Sequence, residues 1–373
     1  MPRSLRVGII GCGDISSSYL QLASLFKGYR IIAVADIDAG RAAARASEFG
    51  VRAETVADLL EADDIDLVIN LTIPAVHFEV SRSILQSGKH VYSEKPFVLN
   101  LAQAQELGHL AASKKLRIGS APDTFLGASH QLARDLVDEQ AVGTITSGIA
   151  VVMSHGMEDW HPNPDFFFQE GGGPVLDLGP YYISNLVQIL GPVKRVSGFV
   201  DSATATRTIV NGPRFGETIP VETPTTIHAI MAFESGAIIT FVASWDVWHN
   251  SHPAMELYGT EGTINVPDPN WFGGEVTVSG REGVISKKSW DHPFAVPNYE
   301  DVYADYRGAG LADMALAISE DRPHRCSSHF ATHVVEVMTA ILQSGETGQV
   351  MNMTTSCTRP QAMSADEARA LLA

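Results

Sequence analysis

The sequence predicts a two-domain protein of the α/β class. A doubly wound parallel sheet is expected over residues 1–122, then an α+β domain with a large, mostly antiparallel sheet and a carboxyl-terminal tail over 123–373. Three observations predict this. The 373 residues exceed what one ordinary core accommodates. Strand-type and helix-type patterns alternate as far as Ala121-Pro122, the signature of a parallel sheet covered on both faces. Beyond that point long β-type runs follow one another through turns such as Glu234-Ser235-Gly236.

Composition narrows the class further. Hydrophobic residues make up 45% and charged residues 18%, the balance of a globular chain. A formal charge of −17 argues against nucleic acid and against anionic membrane surfaces as partners. No apolar run approaches the ~18–20 residues needed to span a bilayer. Met1-Pro2-Arg3-Ser4 leads into the first strand without an apolar signal core. Cys12, Cys326 and Cys357 are too few and too far apart for a disulfide framework and suit a reducing compartment. A cytoplasmic location is the expectation.

Leu5–Ile10 is a near-continuous apolar run, read as a buried parallel strand. It ends in Gly11-Cys12-Gly13-Asp14-Ile15-Ser16, and a helical pattern follows from about Ser17 to Phe26. A second strand, Arg30–Ala35, closes at Asp36. Later strand candidates are Asp66–Leu71, His90–Tyr92 and Leu116–Ser120, with helical patterns near Arg41–Glu48, Val56–Glu61, Val76–Gln86 and Ala102–Lys114.

A Gly-x-Gly turn between strand and helix fits a dinucleotide loop, the opening of a Rossmann domain. Gly11 permits the tight turn, and Gly13 lets the backbone approach a pyrophosphate seated on the next helix's N-terminus. Asp14 and Ile15 are the adjoining candidate contacts, and Ser16 replaces the usual third glycine. Asp36, 25 residues after Gly11, is placed to accept hydrogen bonds from adenosine ribose hydroxyls and to repel a 2′-phosphate. NAD is therefore expected over NADP. Asp38 adds negative charge there, and Arg41 is the one neighbour that argues the other way. The alternative is a glycine turn with a structural role only.

Two further strand ends share that edge, because all carboxyl ends of parallel strands do. Thr72-Ile73-Pro74 follows the fourth strand, and Thr72, Pro74 and His77 are candidate cofactor contacts. For His77, a helix-start histidine with a satisfied ring is the equal alternative. The fifth strand ends in Ser93-Glu94-Lys95-Pro96, where proline restrains Lys95 and makes it a candidate for proton transfer, with Glu94 beside it at the cofactor edge. A solvated surface lysine is the alternative.

In the second domain, β-type runs are Thr144–Met153, Val193–Ala203, Thr225–Phe233, Ala237–Trp245, Met255–Tyr258 and Glu275–Val278. Helices are expected at Ala128–Glu139, Leu311–Ser319 and Thr332–Gln343. Helices would cover one sheet face, leaving the other, with alternating apolar residues, as a candidate oligomer interface. The segment Gly171-Gly172-Gly173-Pro174-Val175-Leu176-Asp177-Leu178-Gly179 opens a helix on which Asp177, Tyr181 and Asn185 fall four apart, hence on one face. Asp177 as a helix cap and Tyr181 as a half-buried aromatic are the alternatives. Upstream, His155–Asp165 combines polar groups, an indole and prolines, which suits carbohydrate. Trp160 and His161 are the candidate contacts there, and Asp123, after the sixth strand, is a weaker one. His329/His333 and His249/His252 lack a completing carboxylate or cysteine, so no metal site is expected.

Taken together, Gly11-x-Gly13, Thr72-Ile73-Pro74 with His77, Glu94-Lys95-Pro96 and the Gly171–Gly179 segment resemble the Gfo/Idh/MocA superfamily, over nearly the whole chain. The resemblance implies a nicotinamide-dependent oxidoreductase acting on a sugar, polyol or glycoside, a homo-dimer or tetramer. It implies that Lys95 is catalytic, with Asp177 and Tyr181 in the same role group, and that the bond before Pro96 is cis. Family members most often carry histidine where Tyr181 stands; tyrosine occurs in the glucose–fructose oxidoreductase-like and dihydrodiol dehydrogenase-like branches. The identity of the base is thereby open. Free tyrosine and lysine titrate near ~10 and ~10.4, so either needs its surroundings to supply about 4 kcal/mol to act as a base at neutral pH. Alternatives within the resemblance are a dihydrodiol dehydrogenase-like enzyme and a non-catalytic NAD-binding regulator.

Overall fold

The computed structural model describes residues 4–161 and 163–373. The chain divides into two compact units, Met1–Gly127 with Asp291–Thr332 and Pro360–Ala373, and Ala128–Trp290 with His333–Arg359.

In the first unit, β1 (Leu5–Ile10), β2 (Tyr29–Ala35), β3 (Arg52–Glu54), β4 (Leu67–Asn70), β5 (His90–Ser93) and β6 (Ile118–Ser120) form one sheet in the order β3-β2-β1-β4-β5-β6. Every pair is parallel. Val7, Ile9, Leu67, Val68 and Ile69 have no exposed surface, as a sheet covered on both faces requires. The covering helices include α1 (Asp14–Leu22), α2 (Ala39–Phe49), α3 (Val56–Glu61), α4 (His77–Gln86) and α5 (Leu101–Lys114). β3 was not foreseen, because Arg52-Ala53-Glu54 is a polar edge strand without apolar alternation. Strand order reverses beside β1, so the loops after β1 and β4 open the crevice where such sheets bind ligands.

The expected division after residue 122 is corrected, since three later stretches belong to the first unit. Asp123 Oδ2 accepts from the amides of Gly308 and Gly310, each at 2.9 Å. The Ser120 amide donates to Cys326 O at 3.0 Å. Arg325 pairs with buried Asp313 at 2.7 Å and with Glu367 at 2.6 Å. The Asp123 and Ser120 bonds join residues about 200 apart and the Arg325–Glu367 pair folds the tail back, and local sequence patterning carries no trace of them.

The second unit holds a nine-stranded mixed sheet. Its strands are β7 (Ile145–Met153), β8 (Val193–Asp201), β11 (Thr226–Phe233), β12 (Ile238–Ser244), β13 (Met255–Gly259), β14 (Gly262–Val266), β15 (Val276–Gly280), β16 (Ile285–Lys288) and β17 (Met351–Asn352). The order is β16-β15-β14-β13-β7-β12-β11-β8-β17, with only β12 and β7 parallel. A two-stranded ribbon, β9 (Thr206–Thr208) with β10 (Thr218–Pro220), stands apart from it. Along β11, Ile227, Ala229, Met231 and Phe233 are buried while His228 and Ile230 are exposed, the period-2 alternation of a sheet covered on one face. Among the described residues no helix is long and apolar enough to cross a membrane.

Candidate active site

The first unit brings its candidate residues to one sheet edge. Gly11 has φ +104°, and a Cβ there would lie 2.6 Å from the Leu71 carbonyl, so only glycine lets the β1 and β4 loops close together. Gly13 caps α1, and a Cβ built on it meets nothing within 4 Å. No side chain caps that helix start; the Ser16 amide donates to Gly13 O at 3.1 Å, which leaves the first amides of the turn to meet an anion. Ser16 is fully buried and its hydroxyl donates to Gly13 O at 2.6 Å, closing the loop where a third glycine is usual. Asp14 is exposed and Ile15 half-buried beside it.

Asp36 is held by main chain. Its Oδ2 accepts from the Cys12 amide at 2.7 Å and its Oδ1 from the Asp38 amide at 2.9 Å. Each carboxylate oxygen keeps further acceptor capacity for ribose hydroxyls. Asp38 itself caps α2, accepting from Gly40 and Arg41 amides. Ile37, next to Asp36, is 100% exposed. Sequence reasoning missed this apolar shelf, although an isoleucine directly after the ribose carboxylate was the signal. Cys12 lies beneath, its thiol pushed up to about 11 by burial and then by Asp36, which keeps it unreactive. An uncapped helix start, open space above Gly13 and a preset ribose carboxylate fit a dinucleotide.

At the end of β5, Glu94 is buried. Its Oε1 accepts from the Tyr19 hydroxyl at 3.0 Å and its Oε2 from the Lys95 amide at 2.8 Å. The Lys95–Pro96 peptide is cis and Lys95 is half-buried. Glu94, expected at the cofactor, instead braces the backbone of the residue that follows it. His77 is corrected in the same way. It is fully buried, with Nδ1 2.7 Å from Pro96 O and Nε2 2.8 Å from Thr72 O. Burial lowers its pKa, so the neutral ring donates to one carbonyl at a time. Both nitrogens face main chain, leaving none for a cofactor. Thr72 is tied through its amide and hydroxyl to Asn70 Oδ1, and Pro74 begins a short 3₁₀ turn. Asp123, expected at the substrate, is also corrected, being only 2% exposed with its carboxylate spent on the Gly308 and Gly310 amides.

In the second unit the glycine run has a steric cause. A Cβ on Gly172 would fall 2.3 Å from the Phe167 carbonyl oxygen. The expected single helix is interrupted at Leu178, giving α6 (Pro174–Asp177) and α7 (Gly179–Leu190). Asp177, half-buried, ends the first; Tyr181, buried, lies in the first turn of the second. Asn185 does not join them. Its amide meets His130 Nδ1 at 3.1 Å, while His130 Nε2 lies 2.7 Å from Trp271 O. Burial takes that histidine down to about 4, so it stays neutral and structural.

Trp160 is 62% exposed, and half-buried His161 packs edge-on against Phe166 and Phe167. Sequence reasoning missed Trp248, which is 79% exposed on one face while His155 stacks on the other at 3.5 Å. His333 is structural: Nε2 accepts from the Val193 amide at 3.0 Å, and Nδ1 lies 3.0 Å from Thr355 Oγ1.

Residues 5–121 match the oxidoreductase family's NAD-binding Rossmann fold, and residues 130–265 match the GFO/IDH/MocA C-terminal domain. The fold and these matches define an oxidoreductase with an NAD-binding domain. The chain belongs to the Gfo/Idh/MocA family. A dTDP-3,4-didehydro-2,6-dideoxy-alpha-D-glucose 3-reductase of Streptomyces violaceoruber is 28% identical over 271 residues, 71% of this chain and 73% of that protein. Inositol 2-dehydrogenase 3 of Saccharopolyspora erythraea is 26% identical over 299 residues, 78% and 81% respectively. Levoglucosan dehydrogenase in complex with NADH superposes with a TM-score of 0.80 at 20% identity, covering 95% of this chain and 100% of that one. That likeness establishes the shared fold.

Proposed function

We propose that this protein transfers a hydride between NAD(H) and a hydroxyl-bearing carbon of a sugar, polyol or glycoside. The observation that carries the reading is Lys95: a half-buried lysine, its own amide bonded to a braced Glu94, at the same strand-end edge as the Gly11 loop and Asp36. The relatives' substrates, a deoxysugar nucleotide and inositol, support the carbohydrate class.

NAD, when bound, supplies the hydride acceptor. Gly11, Gly13 and the α1 amides would hold its pyrophosphate, Asp36 would accept from the ribose hydroxyls, and exposed Ile37 would offer the adenine an apolar contact. Asp36 would repel a 2′-phosphate, which favours NAD over NADP. Lys95 takes the substrate hydroxyl's proton at Nζ during oxidation and returns it during reduction. Tyr181 is the second proton-transfer group, and Asp177 accepts a hydrogen bond that orients the substrate. Trp160 and His161 supply sugar contacts. A homo-dimer or tetramer in the cytoplasm completes the reading. Its interface would be the outer face of the large sheet, where Phe199, Ile230 and Ile238 are exposed.

The test is NADH formation from NAD by purified protein across sugars, inositols, anhydrosugars and trans-dihydrodiols. Turnover on one carbohydrate class, lost in Lys95→Ala, is expected. Turnover confined to dihydrodiols, or turnover unchanged in Lys95→Ala, would overturn it.

A further inference from the structure

The second unit contains a group of side chains that the proposed reaction does not use. His155, Glu158 and Asp159 follow β7, and the single 3₁₀ turn Met157–Asp159 brings them to one side. One donor atom from each lies within 4.8 Å of the other two. His155 Nδ1 is 3.4 Å from Asp159 Oδ2 and 3.7 Å from Glu158 Oε1. A tetrahedral cation about 2.1 Å from each donor would separate its donors by about 3.4 Å.

Two features distinguish this group from an ordinary acidic surface cluster. The first is unmet bonding. Among the described residues, His155 Nδ1 is buried and, despite facing both carboxylates, makes no hydrogen bond. Glu158 is 2% exposed; its Oε1, the oxygen nearer His155, is paired with Arg207, and among the described residues its Oε2 has no hydrogen-bond partner. Buried polar atoms of a folded protein are nearly always partnered by protein, ordered water or an ion, so these two atoms leave room for a bound group. The second is charge. Glu158 Oε1 pairs with Arg207 Nη1 at 3.0 Å, and Arg207 also pairs with Asp246. One guanidinium thus faces Glu158 and Asp246, with Asp159 adjoining. Three carboxylates against one guanidinium leave an excess of negative charge, with Glu158 and Asp246 largely buried and Asp159 partly exposed, an arrangement that a dication neutralises.

We propose that His155, Glu158 and Asp159 form a divalent-cation site. One imidazole and two carboxylates are donors of the borderline and hard kinds, which suit Zn²⁺ or Mn²⁺ over Ca²⁺. Three protein donors leave at least one coordination position to water. The sequence hides the site because His155-x-x-Glu158-Asp159 carries no second histidine or cysteine pair.

The test titrates chelator-treated full-length protein with ZnCl₂, and separately with MnCl₂, by calorimetry. One equivalent should bind, and roughly tenfold weaker or worse in both His155→Ala and Asp159→Asn. Asp159 is partly exposed and lies outside the Arg207 pairs, so its variant is expected to fold; its melting temperature checks this. His252→Ala, at an exposed histidine, should bind as the parent does. Because His155 stacks on Trp248, the metal should also change tryptophan emission, and Trp248→Phe should remove that signal while keeping the heat. No stoichiometric binding would overturn the proposal. So would binding equally strong in the His155 and Asp159 variants, which marks an adventitious ion. A protonated His155 acting as the counter-charge, seen by NMR as an imidazolium indifferent to added metal, would overturn it as well.

Discussion

The strand-end edge of the first unit and the His155–His161 segment of the second differ in how their polar groups are satisfied. At the edge, both oxygens of Asp36 and both oxygens of Glu94 accept hydrogen bonds, three of the four from main chain, and the one N–H of the neutral His77 ring donates to a main-chain carbonyl. In the segment, among the described residues, His155 Nδ1 and Glu158 Oε2 make no hydrogen bond, and the indoles of Trp160 and of Trp248, which stacks on His155, are largely exposed. The first pattern is preorganisation: side chains are fixed before a ligand arrives, so binding need not order them. The second leaves donors and apolar faces for something outside the chain to complete.

The sharpest break between the two regions should come at Lys95. If the edge is preset without it, Lys95→Ala should reduce turnover about 10²–10⁴-fold and leave NADH affinity within a few-fold. Loss of affinity of the same size would show that the lysine holds the edge together. A smaller effect concerns Asp123, whose burial pushes it up to about 6 from 3.8. The native state then binds that proton more tightly than the unfolded chain. Stability from this group is present below the unfolded pKa and is lost as pH rises through the folded value, up to about 3 kcal/mol. Urea unfolding at about pH 4 and about pH 7 should show that loss in the parent and not in Asp123→Asn. Equal pH dependence in the two would refute the raised value.

Asp36→Ala should weaken NAD binding by about 1.5–3 kcal/mol, roughly tenfold to a hundredfold, and narrow the gap to NADP. An unchanged preference would remove the ribose assignment. Tyr181→Phe tests the second unit, with turnover expected to fall about tenfold or more while substrate affinity barely moves. The reverse pattern would make the phenol a binding contact.

Much of the edge was legible in the sequence because it is built locally. Gly11-x-Gly13 sits between a strand and a helix, Asp36 ends the next strand, and Glu94-Lys95-Pro96 ends β5. Each position follows from alternation and from the rule that parallel strands end on one side. What was illegible depends on partners distant in sequence. By sequence Asp123 reads as a substrate candidate and His77 as either a cofactor contact or a satisfied ring, because their partners Gly308, Gly310, Thr72 and Pro96 do not show in local patterning. The return of Asp291–Thr332 and Pro360–Ala373 to the first unit is hidden for the same reason. The break at Leu178 escaped notice because four-residue spacing presumes an unbroken helix.

Whether the first unit is a preset NAD site is decided by titrating the protein with NADH and NADPH and following nicotinamide fluorescence. Saturable one-to-one NADH binding is expected, with NADPH at least about tenfold weaker. Absence of NADH binding, or equal affinity for the two cofactors, would contradict the role given to the Gly11–Ser16 loop and Asp36.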